Sequence, residues 1–173
     1  MLDIYEKKVF SQFGEDGITD YIFTKIGTDT EYFVEIGTQD GSECNTRFLR
    51  EQHDWAGIQI DAKYENPLIN LHKHMVNKEN IISILQSYQV PYEFDYFSLD
   101  IDGIDWYILN EVLSNYQVRA FVCEYNACLD VNVDQVIQYD PNFWDAGPYN
   151  IYHGASLKAF YNLAQSKNYS LIH

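Results

Sequence analysis

Residues 32–43, YFVEIGTQDGSE, open as an apolar run of β-branched and aromatic side chains and then break into glycines and carboxylates. A short apolar run closed by a turn signal is the pattern of a strand buried on both faces. The spacing therefore predicts a strand over 31–36 that ends in a tight turn. Gly37 and Gly41 suggest a cradle for a nucleotide, whereas Glu35 and Asp40 would repel a phosphate. What the turn holds decides how the chain is read.

Runs of the same kind recur outward from this point. AGIQID (56–61) reads as a second strand ending in Asp61, EFDYFSLDI (93–101) as a fourth ending at Asp100 to Asp102, and VRAFVCEYN (118–126) as a fifth. A weak third strand falls near Met75 and Val76, and YSLI (169–172) starts a last one. Helices are expected between them. The first is capped by Ser11, carries Ile18, Tyr21, Ile22 and Ile26 on its apolar face and ends near Gly27. Others cover 42–52, 67–74, 80–88, 105–114 and 156–167. Alternating strands and helices with continuously apolar strands imply a parallel sheet covered on both faces. The expected fold is α/β, a doubly wound and mostly parallel sheet in one domain over 1–173, with 1–28 as an N-terminal helical segment. Ligands of such sheets sit beyond the carboxyl ends of the strands. Glu35, Asp61, Asp100, Asp102 and Glu124 all fall there.

Composition narrows the partners. The chain has 173 residues, and its 11 Lys and Arg against 26 Asp and Glu give a formal charge of −15. No basic patch stands out to displace the counterions of a nucleic acid, and anionic lipid is equally disfavoured. No apolar stretch approaches the roughly 20 residues that span a bilayer, and MLDIYEKKVF lacks the apolar centre of a signal peptide. Three cysteines without a C-x-x-C give neither a disulfide framework nor a zinc ligand set. The expectation is a cytoplasmic protein with a small-molecule partner, no nucleic acid and no membrane.

The turn can now be matched to a ligand. A dinucleotide fingerprint needs G-x-G-x-x-G, but here Gln39 and Ser42 stand at the second and third glycine positions. A phosphate-binding loop would need Gly-Lys-Ser/Thr, which the chain lacks. S-adenosylmethionine carries a sulfonium and an ammonium but no phosphate, so an acidic site attracts it. Its carboxylate can be met by backbone N–H groups at the turn. Asp61, 20 residues beyond Gly41 at the end of the second strand, is placed to accept both ribose hydroxyls.

At this point the chain resembles class I S-adenosylmethionine-dependent methyltransferases, and more narrowly their FkbM-like branch. The segments that carry the resemblance are SQFGEDGI, FVEIGTQDGSECNTRFL, WAGIQIDA, FDYFSLDIDGIDWYIL, VCEYNA and YHGASLKAFYNLAQSKNYSLI, in family order over most of the chain. It implies a Rossmann-like fold and a cofactor site with Glu35, Gly37, Thr38 and Gly41 in the first motif and Asp61 with Ala62 in the second. It also implies O-methylation of a sugar or other small metabolite. Gln12, Glu15 and Asp16 match the family's opening segment; they can approach the methionine end of the cofactor or simply start the helix. The family adds a last antiparallel strand that this chain lacks, so an exposed sheet edge is expected, which a second copy in a homodimer could cover.

A second acidic group, LDIDGID, sets Asp100, Asp102 and Asp105 beyond the fourth strand, and CEYN sets Glu124 and Asn126 beyond the fifth. Asp100, Glu124 and Asn126 are hard oxygen donors suited to Mg²⁺ or another divalent cation, an arrangement similar to that of cation-dependent O-methyltransferases. Read without metal, the same residues face substrate, with Asp100 or Asp102 as a catalytic base, while Asp105 can cap the next helix. The long stretch 127–153 has the length of a lid or binding loop, with Tyr139, Trp144 and Tyr149 as candidate substrate contacts. His153 is a candidate base or a residue bonded to its own loop. His72 and His74 would make a metal pair only on a strand; on the helix predicted there they point apart. Two other readings stay open: a non-catalytic binding or assembly protein that keeps the scaffold, and a metal-assisted enzyme using Asp100, Asp102 and Glu124.

Overall fold

The computed structural model describes residues 2–142 and 152–173. Five strands, β1 (Tyr32–Ile36), β2 (Ala56–Asp61), β3 (Leu71–Lys73), β4 (Glu93–Leu99) and β5 (Gln117–Cys123), form one all-parallel sheet in the order β3-β2-β1-β4-β5. Its helices are α1 (Glu15–Ile26), α2 (Arg47–Gln52), α3 (Ile81–Ser87), α4 (Asp105–Asn115) and α5 (Leu157–Ser166). The order runs outward from β1 to β3 and then jumps back to β4, so the direction of winding switches between β1 and β4. A crevice opens at the carboxyl ends of the strands where the order reverses.

Because successive strand residues point to opposite faces, β1, β4 and β5 feed two cores. Val34, Ile36, Ile58, Ile60, Phe97 and Leu99 join the buried residues of α3, α4 and α5. Phe33 and Tyr96 meet Phe23, Leu49 and Trp55 on the other face. Both faces are thus covered, which is why the strands read as mainly apolar runs. Val34, Ile58 and Phe97 are fully buried and stand side by side in register. Truncating any of them to alanine would cost about 2–5 kcal/mol.

Several expected elements differ. The first helix starts at Glu15 rather than after Ser11, because the buried Asp16 carboxylate accepts the N–H groups of Val9, Phe10 and Ser11 at 2.8, 2.6 and 2.9 Å. The helix expected at 42–52 is only Arg47–Gln52, since Glu35 takes the N–H groups of Asn45 and Thr46 first. The helix expected at 67–74 is a 3-10 turn over Pro67–Ile69, after which Asn70 turns left-handed and Leu71–Lys73 pairs with β2. The third strand therefore lies before Met75 and Val76.

No sixth strand forms among the described residues. After α5, Asn168 adopts a positive φ of 67° and the Tyr169 N–H closes back on Ala164. The Tyr169 hydroxyl then donates to the Val118 carbonyl at 2.6 Å, and its ring packs on Phe121. A side chain, rather than a backbone ladder, meets β5 there, and Leu171 and Ile172 stay exposed. No helix among the described residues is long and apolar enough to cross a membrane.

Candidate functional site

A cavity of about 460 Å³ opens where the winding reverses, a volume within the range of small-molecule sites. One wall is Gly37 and Gln39 after β1, with Asp100 to Ile104 after β4; the other is Asp61 to Tyr64 after β2, with His74 to Val76 after β3. Asp61, Ala62 and Gly37 thus line one hollow, together with Asp100 and Asp102.

Asp61 is nearly buried and joins the two walls. Its Oδ2 accepts the N–H of Gln39 at 2.9 Å, while Oδ1 accepts those of Lys63 and Tyr64 at 2.7 and 3.1 Å. An ionised carboxylate offers about four lone-pair positions, so three are occupied and the capacity left is for one ligand hydroxyl rather than two. Gln39 has φ 50°, a conformation that glycine normally takes. The bond to Asp61 holds the turn there without one. Gly37 serves packing as much as ligand approach: a Cβ on it would lie 1.5 Å from the Asp100 carbonyl oxygen.

The rest of the first motif faces elsewhere. Glu35 points to the α1/α2 side, where Oε1 accepts the Asn45 N–H at 2.8 Å and Oε2 accepts the N–H and hydroxyl of Thr46. Gln59 extends this buried network, donating to Thr46 Oγ1 at 3.3 Å and accepting from Arg50 at 2.6 Å. Thr38 is buried and its carbonyl accepts the Gly41 N–H, and a Cβ on Gly41 would meet Ile69. Glu35, Thr38 and Gly41 shape the loop and do not line the cavity. Glu15 and Asp16 likewise bond their own loop. Burial and the nearby Glu35 carboxylate push the Cys44 thiol up to about 12, so it stays protonated and unreactive.

Beyond β4 and β5, carboxylate oxygens of Asp100, Asp102 and Glu124 lie within 4.8 Å of one another. Burial of the carboxyl groups, and then mutual repulsion, raises Asp100 to about 8 and Glu124 to about 7. All three residues are exposed as a whole, so water screens part of the repulsion. Asp105 does not cap α4: it is the helix's first residue, and its carboxylate accepts the N–H groups of Ile101 and Gly103 in the preceding loop, both at 2.8 Å, while burial raises its pKa. Asn126 is bonded within the loop that follows β5. It is buried, donates to the His153 carbonyl at 3.0 Å and accepts the Cys128 N–H at 2.9 Å. Asp102 supplies a third carboxylate beside Asp100 and Glu124.

His153 does not line the cavity. Tyr139 is likewise set back from it, held against Lys78, Glu79 and Tyr107. Trp144 and Tyr149 lie outside the described residues. His72 and His74, with Leu71–Lys73 a strand, turn to the same side, but each already has a partner. His72 Nε2 bonds Asn70 at 2.8 Å and His74 Nε2 bonds the Tyr88 hydroxyl at 2.7 Å. The residues that sequence reasoning missed are Gln39, Lys63, Tyr64 and His74 to Val76. Lys63 and Tyr64 lie two and three positions after Asp61 and were within reach; His74 to Val76 follow a strand too short to announce itself. Comparison with protein-family models, with curated proteins and with solved structures found no match.

Proposed function

We propose that the chain is a class I, FkbM-like methyltransferase that uses S-adenosylmethionine to methylate a hydroxyl of a small molecule. The observation that carries this reading is the sharing of one cavity by Asp61, Gly37 and Asp100 at the point where the winding reverses. The hollow is acidic, as a cationic nucleoside requires and a pyrophosphate does not tolerate. Asp61 would take a ribose hydroxyl, and the Gly37–Gln39 turn would pass beside the amino-acid end. The cofactor, when bound, supplies the methyl group. The Asp100–Glu124 pair, with both carboxyls raised toward neutral pH, is suited to take the proton of the acceptor hydroxyl. The trio of Asp100, Asp102 and Glu124 also fits a divalent cation by donor chemistry, which would orient and acidify that hydroxyl.

Calorimetric titration tests the reading. S-adenosylhomocysteine should bind and stabilise the fold against heat, and NAD should give no signal. Silence with S-adenosylhomocysteine would remove the proposal, and binding without methyl transfer to any sugar or polyol acceptor would favour a non-catalytic binding protein.

A further inference from the structure

Among the described residues, the loop after β5 meets the segment that follows β3 through Tyr139, which packs with Lys78, Glu79 and Tyr107. Tyr139 donates its hydroxyl to the Glu79 carboxylate and accepts the Lys78 N–H at 3.3 Å. The Lys78 ammonium lies 3.9 Å from the Tyr139 ring centre and 5.7 Å from that of Tyr107. The two rings are 4.9 Å apart, and the Tyr107 hydroxyl donates to the Ile137 carbonyl at 2.9 Å. One lysine thus lies beside both rings, nearer that of Tyr139, a favourable use of its charge. Burial and the bond to Glu79 push the Tyr139 phenol up to about 12, so it remains a neutral donor.

This clasp grips a segment that continues into the cavity. Asn80 Nδ2 donates to the Met75 carbonyl at 2.9 Å and Asn80 Oδ1 accepts the Asn77 N–H at 2.8 Å. Asn77 Oδ1 in turn accepts the N–H groups of Glu79 and Asn80. Residues 75–80 are therefore knitted by their own side chains into one unit. Its first two residues, with His74, form the cavity wall opposite Asp100 to Ile104. His74 continues the β2 ladder by donating its N–H to the Asp61 carbonyl at 2.9 Å. The wall is thus fixed at one end by Asp61 and at the other by the clasp.

We propose that Tyr139 is a positioning residue for the cavity: by holding Lys78 and Glu79 it sets the His74–Val76 wall, and so the fit of the nucleoside, without touching the ligand. The ligand half of this inference rests on the reading given under Proposed function; the wall half does not.

The test uses the full chain carrying Tyr139→Phe, which keeps the ring and removes the hydroxyl. Tyr169→Phe, which removes a hydroxyl bond at β5 away from the cavity, is the control. Amide exchange at residues 74–79 should speed up in Tyr139→Phe while β1 and β4 keep their rates. S-adenosylhomocysteine should bind roughly 3- to 10-fold more weakly, the scale of one or two lost hydrogen bonds. Tyr169→Phe should change neither. Unchanged exchange at 74–79 overturns the proposal whatever the ligand does. Faster exchange with unchanged affinity overturns it as well. If the unmodified chain ignores S-adenosylhomocysteine while the exchange effect appears, the methyltransferase reading fails and the wall assignment stands. Should Tyr139→Phe unfold, Glu79→Gln weakens the same bond from an exposed position and carries the same comparison.

Discussion

Asp61 Oδ2 accepts the backbone N–H of Gln39 at 2.9 Å, so the end of β2 is bonded directly to the turn that follows β1. The same carboxylate serves Lys63 and Tyr64. In Asp61→Asn the amide keeps one acceptor oxygen, and its NH₂ must face an N–H donor. We expect a loss of about 1–3 kcal/mol, seen as a fall in Tm on the order of 3–10 °C. Affinity for S-adenosylhomocysteine should drop roughly tenfold or more, as for a hydrogen bond to a charged group. Calorimetry on the folded variant checks this, and unchanged affinity would sink the ribose role.

Gly37 and Gly41 both have positive φ, 89° and 77°, yet they should respond differently to alanine. At Gly37 the new methyl meets the Asp100 carbonyl at 1.5 Å, backbone that cannot turn aside without opening the β1–β4 contact. Strain and overpacking together predict a loss of roughly 3–5 kcal/mol. At Gly41 the obstacle is the Ile69 Cδ1 at 2.5 Å, the end of a flexible side chain. There the cost should fall to about 1–2 kcal/mol, mainly from the left-handed backbone. Urea unfolding of the two variants gives the difference directly.

The sheet was legible because the strands buried on both faces cannot hide their composition: Phe33 to Ile36 and Phe94 to Leu99 are apolar enough to be read alone. Asp61 and Asp100 followed, since they are the first charges after such runs. What was not legible is set by side chains acting at a distance in sequence. Glu35 shortens α2 by capturing Asn45 and Thr46, and Asp16 delays α1 by gathering Val9 to Ser11. A propensity argument sees neither. Likewise β3 has one fully buried apolar residue, Leu71, too little for any period to register. Only the folded chain reveals that the Asn126 amide also bonds His153 and Cys128.

The position of Glu35 separates a clamp from a cofactor contact. Its oxygens hold the loop between β1 and α2 through Asn45 and Thr46, and accept the hydroxyl of Ser98 on β4 at 3.2 Å. Glu35→Ala would leave several buried donors without acceptors, and we expect a loss of about 3–5 kcal/mol. Glu35→Gln keeps the shape and part of the bonding. In that variant affinity for S-adenosylhomocysteine should change by no more than about threefold, an indirect effect. A loss as large as that of Asp61→Asn would instead place Glu35 at the ligand.

Charge at the trio sets a pH dependence whose sign follows from the raised carboxyls. Asp100 and Glu124 titrate in the folded chain near 8 and 7, above the value of about 4 they have when unfolded. Between those limits the folded state binds protons that the unfolded state has released. Their contribution to stability is therefore intact at the acid end and is lost as pH rises through 7 and 8. Asp100→Asn removes one of the repelling charges. Its Tm should match the parent at about pH 4 and exceed it at about pH 9 by on the order of 2–4 °C, a figure already discounted for screening by solvent. Comparing the two chains at each pH cancels the titrating groups outside this acidic cluster. Mg²⁺ at the alkaline end should raise the parent more than the variant, because a cation neutralises the same repulsion. Equal Tm differences at both pH values would mean that the three carboxylates do not crowd one another in solution.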